Sequence, residues 1–99
     1  MQLSKKLEGN KLTITVSGRV DTITAPEFEK YINENIESIT ELILDLKDMS
    51  YTSSAGLRVI LKAQKLMSAQ GSMTVINVQD DVMEIFDMTG FSDILTIER

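Results

Sequence analysis

Apolar and polar residues alternate along Leu12-Thr13-Ile14-Thr15-Val16-Ser17, the period-two pattern of a strand with one buried face. Gly18 follows and marks the strand's expected end. Ahead of it, residues 3–8 supply a partner strand across Gly9-Asn10, so an antiparallel hairpin opens the chain. The period then changes. Phe28, Tyr31, Ile32, Ile36 and Ile39 recur at helical intervals, and Thr24-Ala25-Pro26-Glu27 offers an N-cap, a first-turn proline and the reciprocal acid of a capping box. Leu42-Ile43-Leu44-Asp45-Leu46 is a near-continuous apolar run of strand length, which predicts a central strand covered on both faces.

Helical spacing returns at Leu57, Ile60, Leu61, Gln64 and Met67, with Arg58, Lys62 and Lys65 on a different face and Gly71 as a left-handed stop. Met73-Thr74-Val75-Ile76-Asn77-Val78 reads as a further strand. Asp81 and Glu84 then open a third helix that buries Val82, Ile85 and Phe86 before Gly90, and residues 95–97 form a short last strand. Strands alternating with helices predict an α/β fold: a mostly parallel sheet of about four to five strands, an N-terminal antiparallel hairpin and about three main helices. No linker, repeat or low-complexity stretch interrupts residues 1–99, which are expected to form a single domain.

Composition narrows the function. With 99 residues, 42% hydrophobic and 25% charged, the chain can bury roughly 60–65% of its unfolded surface without a staple. No apolar run reaches membrane-span length, and Met1-Gln2-Leu3-Ser4-Lys5-Lys6 is not followed by an apolar leader core, so a cytoplasmic protein without membrane insertion is expected. Cysteine and histidine are both absent, which removes thiolate chemistry, the usual general base near neutral pH and the commonest metal ligand. A net charge of −5 argues against nucleic acid, whose binders need a basic stripe to displace counterions. The expected partner is a protein.

The candidate chemistry lies at Ser53 and Ser54, which fall at the start of the second helix. A helix start presents unpaired N–H groups and a partial positive charge, so an added phosphate is stabilised there by about 0.3–1 kcal/mol at an exposed site. The bland alternative makes one serine an N-cap only, yet Gly56 and Leu57 stand where the acid of a capping box would be. Arg58, four residues after Ser54, can lean toward a phosphate or meet a partner, or belong to a solvated face with Lys62 and Lys65. Asp80-Asp81 lacks the further oxygen ligands of a calcium loop and is read as a helix cap, so no metal is expected. The methionines are read as core filler. Isolated glycines make no phosphate cradle, so no nucleotide or other cofactor is expected. An enzyme built on Asp21, Asp48 and Ser54 lacks any nearby group to activate the serine.

Two segments resemble the STAS domain, and within it the small bacterial anti-sigma factor antagonists. Gly18-Arg19-Val20-Asp21 followed by Thr24-Ala25-Pro26-Glu27 is similar to the family's first motif. Asp48-Met49-Ser50-Tyr51-Thr52-Ser53-Ser54-Ala55-Gly56-Leu57-Arg58-Val59-Ile60-Leu61 is similar to its phosphorylation motif. The resemblance implies a STAS fold over nearly the whole chain and a regulatory, non-enzymatic protein. In that family the unmodified antagonist binds an anti-sigma factor that is also a serine kinase, phosphorylation ends the complex, and a phosphoserine phosphatase resets it. Aligned on Ala55-Gly56-Leu57, the phosphoacceptor falls on Ser54. Ser53 stands where an Asp is common and is the second candidate. The resemblance puts Asp21 near the acceptor, where it would orient the hydroxyl or contact the partner, unless it is a turn Asp that caps backbone. Asp21, Ser53, Ser54 and Arg58 are therefore the expected partner-binding residues. The competing reading keeps the fold without the switch, as in the STAS subunit of a lipid-transport ATPase or a signalling scaffold.

Overall fold

In a computed structural model of the chain, residues 1–98 are described. Strand β1 (Gln2–Glu8) pairs antiparallel with β2 (Lys11–Val20), in register from Gln2 opposite Ser17 to Glu8 opposite Lys11. The two-residue turn between them needs a left-handed position, and Gly9 supplies it at φ +62. Leu12, Ile14 and Val16 are all buried, as the alternation predicts. The strand does not stop at Gly18. That residue adopts φ +86, a bulge falls between Gly18 and Arg19, and the strand runs on to Val20. The bulge divides β2 between two neighbours. Its first half pairs parallel with β3 (Glu41–Asp45), and its second half pairs parallel with β4 (Met49–Thr52), a short strand that hydrophobic patterning does not reveal.

Parallel pairing continues from β3 to β5 (Ser72–Ile76) and from β5 to β6 (Ile97–Glu98), giving a six-stranded sheet with the order β1-β2-β3-β5-β6 and β4 beside β2. Strand β3 is central but not buried on both faces. Leu42 and Leu44 are fully buried, whereas Ile43 is only half-buried, beside the half-buried Thr13 and Thr74 in the neighbouring strands. The run looked two-sided because Ile43 is apolar.

Helix α1 (Ala25–Asn35) buries Ala25, Phe28 and Ile32, each large side chain contributing about 1.5–3 kcal/mol relative to exposure. Ile36 and Ile39 reach the same core from the turn beyond the helix, and Tyr31 is half-buried. Helix α2 (Ser54–Gln70) buries Leu57, Val59, Ile60, Ala63 and Met67, with Arg58, Lys62 and Lys65 exposed on the other side. Gly71 ends it without a left-handed turn, at φ 171. A Cβ there would lie 1.8 Å from the Thr40 carbonyl oxygen, so the residue is glycine for want of space. Helix α3 (Asp80–Thr89) starts one residue earlier than expected, with Gln79 at the N-cap position and Asp80 and Asp81 in the first turn. It buries Val82 and Phe86, leaves Ile85 half-buried and closes at Gly90 in the left-handed conformation. A 3-10 turn (Phe91–Asp93) leads into β6. Met49, Met67 and Met73 are core residues, whereas Met88 is 80% exposed. Among the described residues, no helix is long and apolar enough to cross a membrane.

Candidate functional site

The parallel pair β2–β4 sets the site. Val20 lies opposite Thr52, and the Val20 carbonyl accepts a hydrogen bond from the Ser53 N–H at 2.8 Å. Asp21 and Ser53 are therefore the next residues on two adjacent strands that leave the sheet at the same edge. The carboxyl ends of parallel strands are where open α/β sheets usually place their ligand sites.

From that edge the chain turns directly into α2. The first helical hydrogen bond runs from the Leu57 N–H to the Ser53 carbonyl at 3.0 Å, which leaves the N–H groups of Ser54, Ala55 and Gly56 without a helical acceptor. Gly56 is what lets the helix start so close to the strands. A Cβ on it would lie 2.2 Å from Thr52 Oγ1 and 2.8 Å from Val20 Cγ1. The two serines differ sharply. Ser54 is exposed, whereas the Ser53 hydroxyl is buried and has no hydrogen-bond partner. Ser53 occupies the N-cap position without making the usual side-chain cap.

Asp21 is committed to its own turn. Its Oδ1 accepts from the Ile23 N–H at 3.0 Å, the Thr24 N–H at 3.0 Å and the Thr24 hydroxyl at 3.2 Å, while Thr24 Oγ1 accepts from the Asp21 N–H at 2.9 Å. This is a reciprocal cap, and it replaces the one expected from Thr24 and Glu27. Thr24 at the N-cap of α1 makes no cap bond into the helix. Asp21 thus makes the backbone-capping bonds of a turn aspartate, and it stands next to Ser53 across the strand pair with no hydrogen bond to Ser53 or Ser54 among the described residues. Its Oδ2 has no hydrogen bond among the described residues. The Thr24 N–H, followed by the Thr24 hydroxyl, the Ile23 N–H and the Arg19 charge, holds the Asp21 carboxyl below its ordinary pKa against an opposing effect of desolvation.

Arg58 lies one turn into α2 and lines a groove with Thr22 and Pro26. Asp48 shapes the loop before the serines through its backbone, because its carbonyl accepts from the Gly18 N–H at 2.8 Å. Three surface residues here are not singled out by the sequence reading, although Arg19 and Tyr51 lie within its two motif segments. Ile23 is 86% exposed at the tip of the Asp21 turn, and Arg19 packs over the Tyr51 ring at 4.3 Å. An apolar Ile between two threonines in a polar turn was the available signal for the first. Among the described residues, no group of three or more acidic, histidine or cysteine side chains is placed to hold a metal.

Over residues 2–99 the sequence matches the STAS domain. The chain belongs to the STAS domain family. It is 31% identical over 93 residues to an anti-sigma-B factor antagonist of Bacillus subtilis, covering 93% of this chain and 85% of that one. Its fold matches an anti-sigma factor antagonist from Mycobacterium paratuberculosis with a TM-score of 0.90 at 19% identity, over 98% of this chain and 84% of the other. It also matches the Bacillus cell fate determinant SpoIIAA in its phosphorylated form, with a TM-score of 0.77 at 16% identity over 99% and 92% of the two chains. The N-terminal hairpin, the parallel sheet and the three helices of this STAS domain are thus those of solved relatives.

Proposed function

We propose that this protein is a cytoplasmic, non-enzymatic anti-sigma factor antagonist, acting as one domain that binds an anti-sigma factor serine kinase and is released by phosphorylation of Ser54. The observation that carries the reading is the contrast between the two serines: Ser54 is exposed at the first residue of α2, whereas the Ser53 hydroxyl is buried. The name of its Bacillus subtilis relative supports the antagonist role.

In this account Ser54 Oγ takes the γ-phosphoryl group of ATP held by the kinase, with ADP leaving and the hydroxyl proton passing to the kinase. The modified residue gains about −1.5 to −2 charge on a protein already at −5. The helix start tolerates that charge in the free protein. A partner packed over Ser54 must desolvate it or oppose it, at a cost of several kcal/mol. Ejection then needs no backbone rearrangement, and a phosphoserine phosphatase restores binding.

The experiment is incubation with ATP and the candidate anti-sigma kinases of the same cell, followed by intact mass and site mapping. One phosphoryl group on Ser54 is expected. Modification of Ser53 instead would move the acceptor, and no modification by any of them would replace this account with a lipid-transport ATPase subunit or a scaffold.

A further inference from the structure

The groove beside Arg58 runs along α2 from Ala55. Its first part, of about 280 Å³, has Pro26, Ala55 and Val59 as apolar surface with Arg58, Lys62 and Glu29 around it. A second part of about 290 Å³ shares Glu29 and Lys62 and adds Lys65 and Leu66, the last of these 45% exposed. From Ala55 to Leu66 the groove follows about 16 Å of α2 at 1.5 Å per residue. That is room for three turns of a helix laid alongside.

The charge of this channel opposes that of the molecule. Its single carboxylate, Glu29, is already paired with Lys62 at 3.3 Å, while Arg58 and Lys65 have no ion pair among the described residues. Unpaired cations aligned on one face of a chain with net charge −5 are complementary to an acidic surface. Apolar floor with cationic rim is the surface that an amphipathic helix recognises by its spaced anchors.

We propose that the groove between α1 and α2 receives an acidic amphipathic segment of the kinase, gripped by Arg58, Lys62 and Lys65, and that phosphate on Ser54 displaces it. The inference rests on the reading of the kinase as partner. Its apolar residues meet Pro26, Ala55 and Leu66, and its carboxylates meet the cations. Arg58 is where binding and modification compete: it lies one turn from Ser54, within i,i+4 reach of a phosphate on that residue. A phosphate there both takes Arg58 from the segment and repels the segment's acids.

The test is the Kd of the intact protein for the kinase that phosphorylates it, measured for wild type, Lys65→Glu, Lys65→Ala and Lys11→Glu. Lys11 is exposed at the start of β2, away from the serines, and its reversal changes net charge by the same amount. Lys65→Glu is expected to weaken binding at least about tenfold and Lys65→Ala about threefold, with Lys11→Glu within about twofold of wild type. Equal effects of Lys65→Glu and Lys11→Glu, or none from either, overturn the groove. A double-mutant cycle between Ser54 phosphorylation and Arg58→Ala is expected to be non-additive by about threefold or more. Additivity overturns displacement through Arg58. A kinase that phosphorylates Ser54 and binds Lys65→Glu as it binds wild type refutes this inference alone. Absence of any binding to wild type refutes the partner reading beneath it.

Discussion

Asp21 and Thr24 cap one another: the Asp21 N–H donates to Thr24 Oγ1 at 2.9 Å, and the Thr24 N–H donates to Asp21 Oδ1 at 3.0 Å. Two residues that look like a motif acid and a helix cap thus build one hydrogen-bonded turn, which leaves Ile23 exposed to solvent. Thr24→Val keeps the shape and removes the hydroxyl that receives the Asp21 N–H. It is expected to lower stability by about 1 kcal/mol in denaturant unfolding, and to broaden the amide signals of residues 21–24.

The same turn makes stability depend on pH in the acid range. The Asp21 carboxyl titrates below its ordinary value in the folded protein because Thr24 and Ile23 donate to it. The unfolded chain therefore takes up the proton first as pH falls. The stabilisation is fully present above about pH 4 and is lost as pH drops through the lower folded value. Asp21→Asn is expected to flatten this part of the acid unfolding curve, read by circular dichroism between pH 5 and 2. An unchanged slope would remove Asp21 as a contributor.

Gly56 and Gly71 are held by space, not by backbone angle. Gly56→Ala must fit a methyl at 2.2 Å from Thr52 Oγ1, a strain of about 1–3 kcal/mol that outweighs the better helix propensity of alanine. A flexible neighbour can yield there. At Gly71 the obstacle is the Thr40 backbone carbonyl at 1.8 Å, so Gly71→Ala is expected to lower the melting temperature further than Gly56→Ala.

Ser53 gives an unusual expectation for a helix N-cap. Ser-to-Ala at such a position ordinarily costs about 1 kcal/mol. Here the hydroxyl makes no cap bond and is buried without a partner, so Ser53→Ala is expected to be neutral or stabilising by up to about 1 kcal/mol. A loss of 1 kcal/mol or more would mean that the hydroxyl does cap α2 in solution.

Much of this fold is legible in residue order, because Leu12, Ile14 and Val16 alternate cleanly and Leu57, Ile60 and Met67 keep the helical period. Strand β4 is not legible: Met49–Thr52 is four residues long with its two middle positions exposed, so it carries no period. It exists because the bulge at Gly18 turns the end of β2 toward it, and Gly18 looked like a terminus. The cap of α1 was misplaced for a related reason, since Thr24 and Glu27 fit a capping box while Asp21, three residues earlier, forms the actual one with Thr24. The site residues were named from the motif. Their proximity follows only from the register of Val20 opposite Thr52, residues 32 apart in the chain, which no local pattern encodes.

The most direct measurement is the affinity of the kinase for the unmodified protein and for the same protein phosphorylated on Ser54, by calorimetry under one salt condition. The account predicts a Kd at least about a hundredfold weaker for the phosphorylated form, the equivalent of about 2.7 kcal/mol, with both forms giving superimposable backbone amide shifts away from Ser54, Arg58 and the Asp21 turn. Equal affinity of the two forms would contradict it.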